Sequence, residues 1–317
     1  MSFRNQEFGE ENVCKWAEKK EYGKDEPQAC GAAASASYEE TEKELIVTAG
    51  QSRFCFDKDT ARMTTAQYQG KTLLWGGPHL VLTGAVLGEW KKAGPGVQAV
   101  QRGSQVLVTL TGQYTGGYVV WYTITVSGDG KFVTSWQIKG GGTERTIKEF
   151  GIRYDLAPGA EKISWLRKGK YSCYPEDHIG RNRGTAYRRN EKAAACRYGS
   201  APEWSWKEDM WDDFLYERSH RENGLVTKDF KTLRENIRYF DVYFTDTGEY
   251  VRVEDDNART AARVSVSVDE NGEERTALLV IKRWIYPDLG WGNDEKRKFG
   301  VGAGAYGSVV MRLGDSD

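Results

Sequence analysis

The chain has 317 residues, enough for one large domain or two modest ones with a sizeable buried core. Its 45 basic and 46 acidic side chains leave a net charge of -1, which excludes the single-sign field that draws a protein to nucleic acid or to an anionic membrane. No apolar run approaches a membrane span, and Met1-Ser2-Phe3-Arg4-Asn5 opens without the apolar core of a signal peptide, so a soluble protein, cytoplasmic or periplasmic, is the expectation.

Residues 1 to 37 are charged, poor in apolar side chains, and end in Gly31-Ala-Ala-Ala-Ser-Ala-Ser37. Val13, Trp16 and Ala17 fall on one helical face, but such a segment is too short to hold a helix without a docking surface. It reads as a tail, a linker or the remnant of a preceding domain, with the folded domain over 38–317. The five cysteines, Cys14, Cys30, Cys55, Cys173 and Cys196, are scattered, with no C-x-x-C and no histidine at metal spacing. They predict free thiols in or near a core rather than a disulfide framework, and neither a metal nor a cofactor is expected.

From Tyr38 the pattern is that of strands. Leu45–Thr48 and Phe54–Phe56 flank a turn at Gly50, Met63 and Tyr68 precede a turn at Gln69-Gly70, and Gly76-Gly77-Pro78-His79 reads as a loop. Val97–Val100 and Val106–Leu110 form a pair, and Tyr118–Val126 with Phe132–Ile138 make the clearest hairpin, closed by Ser127-Gly128-Asp129-Gly130. After Gly140-Gly141-Gly142, Phe150, Ile152, Tyr154 and Leu156 alternate with Glu149, Gly151, Arg153 and Asp155. That period of two predicts an apolar side against a core and a charged side in water. Pro158-Gly159 turns the chain into Ile163–Leu166.

Ala186–Ala195 fits a strand end or a short helix equally well. Pro202–Ser219 carries Trp204, Trp206, Trp211, Phe214 and Tyr216 interleaved with Glu208, Asp209, Asp212 and Asp213, and Trp204 and Trp206 suit a core or a sugar platform alike. Ile237–Phe244, Tyr250–Val253, Arg263–Val268, Leu278–Ile281 and Ser308–Leu313 complete the series. Many strands, little helix and no βαβ alternation predict an all-β fold, a sandwich of large antiparallel sheets.

A spaced set of short motifs resembles the C-terminal β-super-sandwich domain, galactose-mutarotase-like in fold, of family 2 glycoside hydrolases such as the β-galactosidases. The matching residues are Phe56-Asp57-Lys58 with Tyr68-Gln69-Gly70-Lys71 and Leu74; Trp165, Gly169, Tyr174, Pro175, Glu176, Asp177 and Gly184; Arg221-Glu222-Asn223-Gly224; and Gly290-Trp291-Gly292-Asn293-Asp294. The resemblance runs roughly from Tyr38 to Leu313. It implies a noncatalytic domain, because that family keeps its catalytic carboxylates in a (β/α)8 barrel, which needs about 250 residues of strand–helix alternation. It also implies galactoside-like carbohydrate and the remainder of a larger glycosidase chain as partners. Trp291, Asn293 and Asp294 are its candidate sugar contacts, although the family places its tryptophan a few residues later, where this chain has Lys296–Phe299.

Two other functions stay open beside it, a stand-alone carbohydrate-binding module and an enzyme on the same fold. A mutarotase needs histidine and a carboxylate, yet His79, His178 and His220 lack the Asn-His motif of those enzymes and read as hydrogen-bonded loop residues. A polysaccharide lyase would draw on Tyr174, His178, Arg181 and Asn182. Tyr174, His178 and Arg181 therefore join Trp204 and Trp206 as candidate carbohydrate contacts.

Overall fold

Alternation of inward apolar and outward polar side chains organises the computed structural model, which describes residues 34–142, 144–168, 182–188, 226, 228–244, 248–256, 259–285 and 299–315. The first half supplies β1 (Ser37–Glu40), β2 (Glu44–Ala49), β3 (Ser52–Asp57), β4 (Arg62–Tyr68), β5 (Lys71–Thr83), β6 (Trp90–Arg102), β7 (Gln105–Tyr114), β8 (Val119–Val126) and β9 (Phe132–Gly140). Then come β10 (Glu144–Ile147), β11 (Glu149–Leu156), β12 (Ala160–Arg167), β13 (Arg183–Tyr187), a single helical turn α1 (Lys228–Lys231) and β14 (Arg234–Glu235). The rest are β15 (Ile237–Phe244), β16 (Tyr250–Glu254), β17 (Ala261–Val268), β18 (Glu274–Trp284), β19 (Phe299–Val301) and β20 (Tyr306–Gly314).

Two nine-stranded antiparallel sheets result, the all-β sandwich of large sheets expected from the pattern. The first runs β1-β2-β3-β4-β5-β11-β18-β17-β14 and the second β13-β12-β15-β16-β20-β9-β8-β7-β6, with β10 and β19 as a small separate pair. Phe150, Ile152, Tyr154 and Leu156 of β11 face Phe132, Thr134, Trp136 and Ile138 of β9, all buried. Phe132 packs edge-on against Phe54 and Tyr154, with ring centroids 5.1 and 6.4 Å apart. The hydroxyls of Thr134 and Tyr154 share a hydrogen bond of 2.6 Å inside this core, so those two buried polar tips satisfy each other. Cys55 of β3 is a free thiol. No helix among the described residues is long and apolar enough to cross a membrane.

Two expectations are corrected here. Gly76-Gly77-Pro78-His79 is no loop but the middle of β5, a continuous strand from Lys71 to Thr83. Its turn-like residues serve a β-bulge: His79 pairs with Arg153 and Gly76 with Asp155, so Tyr154 faces both Gly77 and Pro78. A Cβ on Gly77 would stand 2.7 Å from the Tyr154 ring, in a backbone with φ of +121°.

The second correction concerns the charged side of β11. Glu149 and Gly151 are buried, on the face of the first sheet opposite Phe150 and Ile152. Val81, Ala277, Leu279, Ile281 and Trp284 form a second apolar cluster there. Glu149 takes hydrogen bonds from Arg263 Nε (3.1 Å) and Nη2 (3.0 Å) and from the Thr83 hydroxyl (2.8 Å). A carboxylate survives such burial only when ion pairing and hydrogen bonds replace its water.

Candidate functional site

Trp204, Trp206, Trp291, Asn293, Asp294, Tyr174, His178 and Arg181 all lie outside the described residues. The titratable cluster that the described residues assemble is a different one. It surrounds a cavity of about 740 Å³ where β4, β5 and β11 of the first sheet meet β6 and β7 of the second.

Local sequence builds its walls. At the β3–β4 turn, Asp57 Oδ1 accepts hydrogen bonds from the backbone N–H groups of Asp59 (2.7 Å) and Thr60 (2.8 Å). Those bonds, Thr60's first, hold the Asp57 carboxyl below its ordinary range. The turn aims the Thr60 carbonyl at Trp90, whose indole N–H donates to it at 3.0 Å. Gly112 lies beneath the Trp90 ring, and a Cβ there would stand 2.2 Å from Cζ2. Trp90 also contacts the rings of Tyr114 and Tyr122 at 5.1 and 5.6 Å. The Tyr114 hydroxyl accepts from the Leu80 N–H (2.8 Å) and bonds the Tyr122 hydroxyl (3.1 Å), which burial and then Tyr114 push well above its ordinary pKa.

The polar wall is a chain of three groups. His79 Nε2 lies 2.9 Å from Asp155 Oδ2, and His79 Nδ1 meets Arg62 Nη1. A guanidinium only donates, so Nδ1 must be the bare acceptor and the proton resides on Nε2, donating to Asp155. Burial lowers the His79 pKa, and the charges of Arg62 and Arg153 push the same way against the pull of Asp155. Burial opposes ionisation of Asp155, but the hydrogen bond from His79 and the charges of Arg153 and Arg62 outweigh it and hold its carboxyl below 3.8. Arg153 Nε closes the set at 3.1 Å from Asp155 Oδ1. Arg62 is lowered by burial and lies over the Trp90 ring, 5.4 Å from its centroid, a cation–π contact.

His79 is hydrogen-bonded, as its sequence context suggested, but from a strand and on both nitrogens. To take a substrate proton at Nδ1 it would first have to lose Arg62. What the arrangement offers an incoming molecule is therefore binding: guanidinium donors from Arg62 and Arg153, the carboxylate of Glu89 at the rim, and the aromatic wall of Trp90. Sequence reasoning missed this set. One signal was present, Arg153 and Asp155 two apart on the polar side of the most regular strand. His79 joins them only through the β5–β11 pairing, across a gap in sequence that no local motif spans.

No family model matches the sequence, and no curated protein matches it. Solved structures do. A galactose mutarotase-like protein from Clostridium acetobutylicum aligns over 90% of this chain and 100% of its own, at 9% identity and a TM-score of 0.42. A putative aldose 1-epimerase from Escherichia coli aligns over 89% and 100%, at 9% identity and a TM-score of 0.42. A beta-arabinopyranosidase aligns over 84% of this chain but 40% of its own, at 14% identity and a TM-score of 0.39.

Proposed function

We propose that this chain is a noncatalytic carbohydrate-binding domain in which Arg62, Trp90 and Arg153 seat a galactoside-like sugar. The observation that carries the reading is the convergence of two guanidinium groups and an aromatic wall on one open cavity, while the imidazole and carboxylate behind them are committed to each other. Sugar hydroxyls match such donors, and the apolar face of a pyranose matches an indole ring.

We further propose that the chain is the C-terminal part of a larger family 2 glycoside hydrolase, β-galactosidase-like. Residues 1–37 would be a tail or the end of a preceding domain, and 38–317 the β domain that completes the active site of a barrel. The motif order from Phe56 to Asp294 supports it, and Trp291, Asn293 and Asp294 would be its contacts to the sugar in the full enzyme.

The test is saturation-transfer NMR on methyl β-galactoside with the whole chain. Millimolar binding is expected, with Arg153→Ala weakening it roughly tenfold, the scale of one hydrogen bond to a charged group. Equal affinity in wild type and Arg153→Ala would remove the sugar from this cavity. A second reading, proton transfer during sugar ring opening, is favoured by one observation, the His79–Asp155 pair. Polarimetry of freshly dissolved galactose decides between them: no acceleration supports binding alone, whereas acceleration abolished by His79→Ala establishes the enzyme.

A further inference from the structure

The outer face of the second sheet carries a feature that neither the core nor the cavity uses. Strands β8, β9 and β20 lie side by side, and their registers place Trp121, Gln137 and Tyr306 in one row across the sheet. The next row on the same face is Thr123, Ser135 and Ser308. Alternation fixes the side: Val120, Tyr122, Ile138, Gly307 and Val309 point inward and are buried, so both rows point out. Trp121 is 46% exposed and Tyr306 77%, unusual for large rings on a face turned to water.

The two rows differ in height. Rings stand at either end of the first with an amide between, while the second holds only short hydroxyl side chains, Ser135 and Ser308 bonded to each other at 3.1 Å. The step between them is a trough of about 410 Å³. Because β8 and β20 both pair with β9, the rings stand about two strand spacings apart, roughly 10 Å. Lys139 Nζ, 4.7 Å from the Trp121 ring centroid, adds a donor at that end.

We infer that this trough is a second, separate carbohydrate site, for a linear oligosaccharide lying across the strands. Two rings at this separation stack successive or alternate sugars of an extended chain. The Gln137 amide and the hydroxyl row supply the donors and acceptors that sugar edges require, and no acid–base pair is present in the row to act on them. A short sugar satisfies one ring only, so affinity rises with chain length, unlike at the cavity. The inference rests on this face alone and stands or falls independently of the cavity.

The experiment titrates the whole chain with β-1,4-linked hexaoses and the corresponding monosaccharides of glucose, galactose and mannose, by calorimetry. At least one hexaose is expected to bind more tightly than its monosaccharide. Trp121→Ala and Tyr306→Ala, both surface changes, should each weaken it about 5- to 10-fold. Failure of every hexaose to bind would overturn the inference. So would hexaose binding indifferent to both ring variants, or an association of copies in sedimentation that the same variants abolish.

Discussion

His79 makes the cavity answer to pH. Folding holds its pKa below the ordinary 6.5, so the unfolded chain takes up a proton at pH values where the folded chain does not. Stability therefore rises with pH through the interval below 6.5 and falls again on acidification. The depressed pKa of Asp155 adds a further loss lower down, as pH drops through its folded value. Urea midpoints measured between pH 7.5 and 5.5 should fall for wild type and stay nearly level for His79→Gln, which cannot charge. A wild-type midpoint independent of pH across that range would contradict the Arg62–His79–Asp155 geometry. This chemistry was only partly legible in the sequence. Arg153 and Asp155 share a face of a strand that alternates visibly, whereas Arg62 and Trp90 carry no local signal, and a turn and a sheet-to-sheet contact bring them in.

Strands were more legible than their surroundings. The β8–β9 hairpin shows itself by alternation and by the turn at Ser127–Gly130, and β11 by its inward Phe150, Ile152, Tyr154 and Leu156. What local pattern cannot carry is a bulge or an ion pair between distant strands. Gly76-Gly77-Pro78 has the composition of a turn, yet it lets β5 pass the Tyr154 ring. Glu149 alternates as though for water, yet it is buried with Arg263, supplied by a strand more than a hundred residues on. Gly112 of β7 offers a test at this level. Its Cβ space is filled by the Trp90 ring, so Gly112→Ala must push the indole out of the cavity wall. Overpacking of this kind costs roughly 1–3 kcal/mol, and sugar binding should weaken with it. Thermal unfolding and sugar titration of that variant should both shift; unaltered binding would mean that Trp90 does not form the contact.

Taken together, the two sheets present two polar, aromatic-lined surfaces, a cavity built by both sheets around Trp90 and a shallow trough around Trp121 on the far face of the second. The first is lined by guanidinium groups and suited to a single sugar unit, and the second carries two spaced rings and is suited to a chain. The tryptophan indole N–H signals distinguish them in one experiment. Trp90 donates to Thr60, Trp121 is on the surface, and Trp136 lies in the core. The direct measurement is the nitrogen–proton correlation spectrum of the whole chain, its indole signals assigned by substitution, titrated with methyl β-galactoside. The account predicts a saturable shift of the Trp90 signal with Trp136 still, and loss of that shift in Arg153→Ala. A Trp90 signal unmoved at saturating sugar, or moved equally in Arg153→Ala, would contradict it.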